Sequence, residues 1–249
     1  MHPATEVIVI ERISVGLFPQ ILRRGWTMFV NTRPLSVSFS MIFALIGVAI
    51  LASIVRASHA PLIFPLSGGF MLIGPFLLGG FFSLADRLNA GEACAAADLR
   101  AGFARTTSGI LAIAFLCTIL FVVWVVNAAY LYGGIIGQTP ESIFNLLAPS
   151  GPVVVFLVRS TLLGALLAFV VFAISAFSVP LLYYRRASLL SAVMLSVRAV
   201  IHNFLPCLVW AFLLASTIVI SILVFPLFLV AFPTLAYASH TLYRAVFPA

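Results

Sequence analysis

The sequence predicts an all-α, polytopic membrane protein: six transmembrane helices preceded by an N-terminal interfacial amphipathic helix. Three observations carry this. Of 249 residues, 63% are hydrophobic and 8% charged, whereas soluble domains are about 45–50% apolar and about 25% charged. The charged side chains are swept out of six long apolar stretches. The basic residues, 13 arginines and no lysine, fall mostly in alternate gaps between those stretches, the asymmetry that marks cytoplasmic loops.

Residues 1–13 read as a short cytoplasmic tail. Its apolar run, Val7–Ile10, is too short for a cleavable signal peptide. Residues 14–31 form an amphipathic helix, with Phe18, Ile21, Leu22, Trp26, Phe29 and Val30 at three- and four-residue spacing and Arg23 and Arg24 beside them. Two placements stay open. The helix lies in the interface with its apolar face in lipid, or it packs on the cytoplasmic face of the bundle.

Pro34 resets the direction. Uncharged spans follow at about 35–55, 62–84, 108–132, 160–182, 204–224 and 225–243, in a single membrane domain covering 1–249. The first four suit a hydrocarbon core about 30 Å thick. No polar loop separates the last two. As one helix, 204–243 would run about 60 Å, twice that thickness. A hairpin near Leu223–Pro226 resolves this, because proline breaks the helical ladder. Short cytoplasmic helices are expected around Glu92–Arg105 and Ser188–Arg198, and segment 133–159 reads as an outer loop with an interfacial or re-entrant part.

Arg12, Arg23, Arg24, Arg33, Arg87, Arg100, Arg105, Arg185, Arg186, Arg198 and Arg244 fall on the side of the N-terminus, and only Arg56 and Arg159 on the other. Both termini are then cytoplasmic. The same split accounts for a net charge of +7 with no nucleic-acid partner.

Span two concentrates Pro65, Gly68, Gly69, Gly74, Pro75, Gly79 and Gly80. Such a helix is kinked and central. One reading is a broken helix lining a solute path through Gly69, Gly74, Pro75 and Gly79, with Pro180 late in span four. The other is close packing of small residues, which Ser160, Gly164 and Ala168 repeat in span four. Arg159, His202, His240 and Tyr243 are the polar candidates at span ends. His240 and Tyr243 share a helical face and could cap a cytoplasm-facing cluster, and Arg159 either snorkels to the headgroups or acts within the membrane. By these boundaries no Asp, Glu or Arg lies inside a span. Cys94, Cys117 and Cys207 have no metal-ligand spacing. No nucleophile–base pair, phosphate loop or zinc-protease motif is present, so no catalytic residue, metal or cofactor is expected and the chain does not read as an enzyme.

On these residues the chain resembles a bacterial family of predicted six-helix integral membrane proteins of unknown function. The likeness runs from about residue 20 onward. It rests on Gly25-Trp26 and Pro34, Gly69-Phe70, Gly74-Pro75, Asp86-Arg87, Pro180, Asn203 and the terminal His240-x-x-Tyr243-Arg244. The family pattern has an acidic residue soon after the span-four proline; here Tyr184, Arg185 and Arg186 stand there, so that acid's role does not carry over. Members are sometimes labelled cytochrome c oxidase subunit I-like. Haem–copper chemistry needs several intramembrane histidines, and only His240 lies inside a span, so no cofactor carries over. The resemblance implies a bacterial inner-membrane protein. The residues fit a non-enzymatic accessory or scaffold component, whose partners are the lipid bilayer and another membrane protein or a second copy met through small-residue helix faces. The alternative is a small transporter or channel for an uncharged or weakly polar solute.

Overall fold

The computed structural model describes residues 8–56, 77–136 and 151–248, and among them every regular element is helical. An irregular segment, 8–14, and a 3-10 turn at Val15–Leu17 lead into α1 (Phe18–Asn31) and α2 (Arg33–Arg56). Next come α3 (77–89), α4 (Ala96–Ala104) and α5 (Ser108–Ile136). Then follow α6 (Gly151–Ser175), α7 (Ser178–Tyr183), α8 (Leu189–His202), α9 (Phe204–Leu223) and α10 (Phe225–Val246). Among the described residues two stretches are by themselves long and apolar enough to cross a membrane, Ser108–Ile135 and Gly151–Tyr183. The pairs α1–α2 and α8–α9 pass only jointly, bent by 95° and 102°. Of span two, only the last residues, from Leu77, are described.

The amphipathic helix packs against the rest of the chain. Phe18, Ile21, Gly25, Met28 and Phe29 are buried, and α1 packs along α10. The approach is close: a Cβ on Gly25 would lie 2.6 Å from the Thr234 carbonyl oxygen and 2.9 Å from Ala238 Cβ. Trp26 and Val30, which the spacing put on the same apolar face, point outward instead, Trp26 being 48% exposed.

Each sharp bend is held by side chains that satisfy the backbone and polar groups a broken helix leaves over. At α1–α2, the hydroxyls of Thr32, Ser36 and Tyr237 form a buried triangle with sides of 2.8, 2.8 and 2.9 Å. At α8–α9, Asn203 Oδ1 accepts the Ile13 N–H at 2.8 Å, and its Nδ2 donates to Glu11 O at 3.1 Å and Ala199 O at 3.2 Å. The break between α6 and α7 lies just before Pro180, which has no N–H to continue the ladder. Here Ser196 of α8 steps in: its hydroxyl accepts the Phe177 N–H at 3.1 Å and donates to Ala173 O at 2.7 Å.

The fourth span starts earlier than the sequence reading put it, at Gly151 rather than 160, because Pro152 sits in a first turn, where proline is tolerated. Arg159 therefore lies inside a helix, not at its start. It is 24 residues from Tyr183, about 36 Å along the axis at about 1.5 Å per residue, beyond a core about 30 Å thick. Gly133 and Gly134, read as loop, belong to the end of α5. The rest of the expected outer loop, 137–150, lies outside the described residues.

Helix α3 occupies the centre. Phe81 faces a cluster with Phe39, Phe43 and Tyr237, while Phe82 faces the larger one with Ile110, Tyr183 and Leu242. Its glycines admit α4: a Cβ on Gly102 would lie 2.3 Å from the Gly79 carbonyl oxygen, so the two backbones touch.

Candidate functional site: a carboxylate node at one end of the bundle

Asp86 lies near the C-terminus of α3, where the helix passes from apolar packing into its charged end. Three other elements bring donors to it. Tyr184, just after α7, donates its hydroxyl to Asp86 Oδ1 at 2.9 Å. Arg244 Nη2 and His240 Nε2, both from α10, lie 3.4 and 3.5 Å from the same oxygen. Arg105, which caps α4, places Nη1 3.7 Å from Oδ2. His240 and Arg244 are four residues apart and so share a helix face.

Proton counting assigns the donors. Tyr184 has one hydroxyl proton and gives it to the carboxylate, so its oxygen accepts from His240 Nε2 at 2.9 Å, which must carry the imidazole proton. The His240 side chain is 1% exposed and that of Asp86 26%. His240 Nδ1 has no hydrogen-bond partner among the described residues.

Aromatic rings pack the node from the inside. Tyr184 stacks on Tyr243 at 5.6 Å and 5°, Phe82 lies 5.5 Å from His240, and the Arg244 guanidinium covers the Tyr184 ring at 5.0 Å. Burial alone would raise the Asp86 carboxyl. The close approach of His240, the hydrogen bond from Tyr184 and the charge of Arg244 outweigh it and hold the carboxyl below its ordinary value of 3.8. Tyr184 is pushed the other way, first by burial and then by the carboxylate beside it.

A second ionic group lies alongside. Arg87 bonds to Glu92 and, at 3.0 Å, to Asp98. Asp98 Oδ2 also accepts the Ala95 N–H at 2.8 Å, capping α4 from its third position. Thus the short connection between α3 and α5 is pinned at both carboxylates.

Chemically, the Asp86 node is a carboxylate facing several donors at once. One oxygen faces a phenol, an imidazole and a guanidinium, and the other faces a second guanidinium. Its lowered basicity and its converging donors suit bracing of α3, α4, α7 and α10. Among the described residues no three of His, Cys, Asp and Glu converge to hold a metal ion.

Of the residues singled out from sequence, His240 and Tyr243 meet at this node, both against Tyr184. His202 and Arg159 do not join them. His202 Nε2 accepts from Arg12 Nε at 3.2 Å, on another part of the same end. Arg159 is exposed on α6, far along the bundle. Gly79 is in the α3–α4 contact and Pro180 is buried in α7, while Gly69, Gly74 and Pro75 lie outside the described residues. Asp86, Tyr184, Arg244 and Arg105 were not anticipated as a set, since they come from four distant places in the chain. The acid missing after Pro180 has a physical counterpart: Tyr184 at that place receives its carboxylate from α3.

Comparison with known families reaches the same class of protein. Residues 63–183 match DUF2189, described as a predicted integral membrane protein. Over those residues the chain is similar to that family, and it is an integral membrane protein of unknown function. The DUF2189 match covers span two, the Asp86 node's α3 and α4 residues, α5, and the α6–α7 break with Pro180. It is narrower than the likeness read from the sequence: Gly25-Trp26, Asn203 and His240-x-x-Tyr243-Arg244 lie beyond it. No curated protein and no solved structure matches the chain.

Proposed function

We propose that this chain is a six-span protein of the bacterial inner membrane, with both termini cytoplasmic, and that it serves as a non-enzymatic accessory or scaffold component of a membrane complex. The topology draws on contacts between distant parts of the chain. Glu11 N–H donates to Val246 O at 2.9 Å, Ile13 N–H to Asn203, and Asp86 meets both Tyr184 and Arg244. Hydrogen-bonded groups must lie on the same side of a bilayer. Residues 11–13, 86, 184, 203 and 246 therefore share one side, and every excursion between them crosses an even number of times. Three out-and-back pairs satisfy this: α2 with α3, α5 with α6–α7, and α9 with α10. The arginine excess puts that side in the cytoplasm.

The observation carrying the scaffold reading is the bracing of the polar end. The Asp86 oxygens face the chain's own donors, and the glycine contacts Gly79–Gly102 and Gly25–Thr234 lock helix backbones together. What faces outward is apolar, including Phe115, Leu162, Leu166 and Phe212, a surface suited to lipid and to neighbouring membrane helices. Pull-down of the tagged full chain in mild detergent, with identification of co-purifying chains, tests this. A recurrent stoichiometric membrane partner supports it. Saturable flux of an uncharged solute in liposomes, with no partner recovered, overturns it in favour of a transporter.

A further inference from the structure

We propose that a groove between segment 8–13 and α8 binds an anionic phospholipid of the cytoplasmic leaflet, its headgroup on Arg198 and Arg12 and its acyl chains along α9. The inference rests on the membrane placement above and names a ligand for its cytoplasmic face. The groove encloses about 480 Å³ and is lined by Ile8, Ile10, Leu195, Arg198, Ile201 and His202. It is built rather than incidental. Asn203 holds Glu11 and Ile13 from α9's start, Val246 O holds the Glu11 N–H, and His202 holds Arg12 over the rim.

Charge and apolarity are arranged as an amphiphile requires. Arg198 makes no hydrogen bond or ion pair among the described residues, and the carboxylate of nearby Glu11 makes no ion pair there either. Along α8, Leu190, Met194, Arg198 and Ile201 fall on one exposed stripe at spacings of four, four and three, apolar except for the arginine. Since α8 turns 102° from α9, it lies across the end of a span, where a helix of this kind rests among headgroups. Ile201 is 68% exposed, and the apolar surface continues from it through Phe204, Leu205 and Leu208 to Phe212 on α9. A free phosphate would use the arginines and leave this surface unused; a phospholipid uses both.

The test is native mass spectrometry of the purified full chain, reconstituted in nanodiscs of phosphatidylcholine with added phosphatidylglycerol of the same acyl chains. The wild type should retain phosphatidylglycerol preferentially, and excess inorganic phosphate should not displace it. Arg198→Gln should cut retention about fivefold, the effect of one arginine near an anionic lipid surface, while Arg100→Gln, which removes the same charge from α4, should not. Ile201→Asp, on an exposed position, is a second variant that should also release the lipid. Equal retention by Arg198→Gln and Arg100→Gln, equal retention of phosphatidylcholine, or displacement by inorganic phosphate would overturn the proposal. Failure of the membrane reading looks different, because the chain then reconstitutes with neither lipid.

Discussion

The Tyr184 hydroxyl donates a 2.9 Å hydrogen bond to Asp86 across 98 positions of the chain, joining the end of α7 to the end of α3. Both residues sit on the polar side of long apolar helices. Tyr184→Phe should therefore leave the spans in place and loosen the node, lowering stability by about 1 kcal/mol. Thermal unfolding in detergent checks this, with helical content unchanged before melting.

Asp86→Asn keeps the hydrogen-bond geometry but removes the charge facing Arg244, Arg105 and His240. The carboxylate is partly exposed, so a loss of about 1 kcal/mol is expected. The sign with pH follows from its lowered value. The stabilisation is fully present above the ordinary value of 3.8 and fades as pH falls through the lower folded one. The gap in melting temperature between wild type and Asp86→Asn should stay constant from neutrality to about pH 5 and close in more acid solution. A gap that widens on acidification would contradict the assignment.

Gly102→Ala should be among the most damaging small substitutions in the chain. The added Cβ would meet the Gly79 carbonyl oxygen at 2.3 Å, so α3 and α4 must separate, at a cost of about 1–3 kcal/mol. Gly133→Ala meets nothing within 4 Å and should be neutral or mildly stabilising. Comparing their melting temperatures isolates the contact.

Ser196→Ala leaves the Phe177 N–H and the Ala173 carbonyl with one partner fewer at the helix break. A loss of about 1–3 kcal/mol is expected. Faster amide exchange at residues 176–178 than in the wild type would locate it.

Helix content was legible because apolar runs and arginine gaps report the bilayer directly, and α4 and α8 overlap the short helices expected around Glu92–Arg105 and Ser188–Arg198. The packing of α1 was not decided by its pattern. Phe18 and Trp26 look alike in spacing, yet only Phe18 is buried, against Trp210 at 5.3 Å, and the choice depends on where α9 and α10 lie. The start of α6 was misplaced because Arg159 was taken as a boundary, although a long arginine side chain near a helix end snorkels at little cost. The Asp86 node was the least legible part. No spacing rule links residues 86, 105, 184 and 244, which meet only after the helices between them have packed.

The bond between Glu11 and Val246 O also orders events in time. Residue 11 is made early and waits through the synthesis of every later helix. It can settle only when residue 246 has emerged and α10 has packed. The groove beside α8 is therefore completed last, and a ribosome stalled before α10 would leave that end of the bundle unfinished.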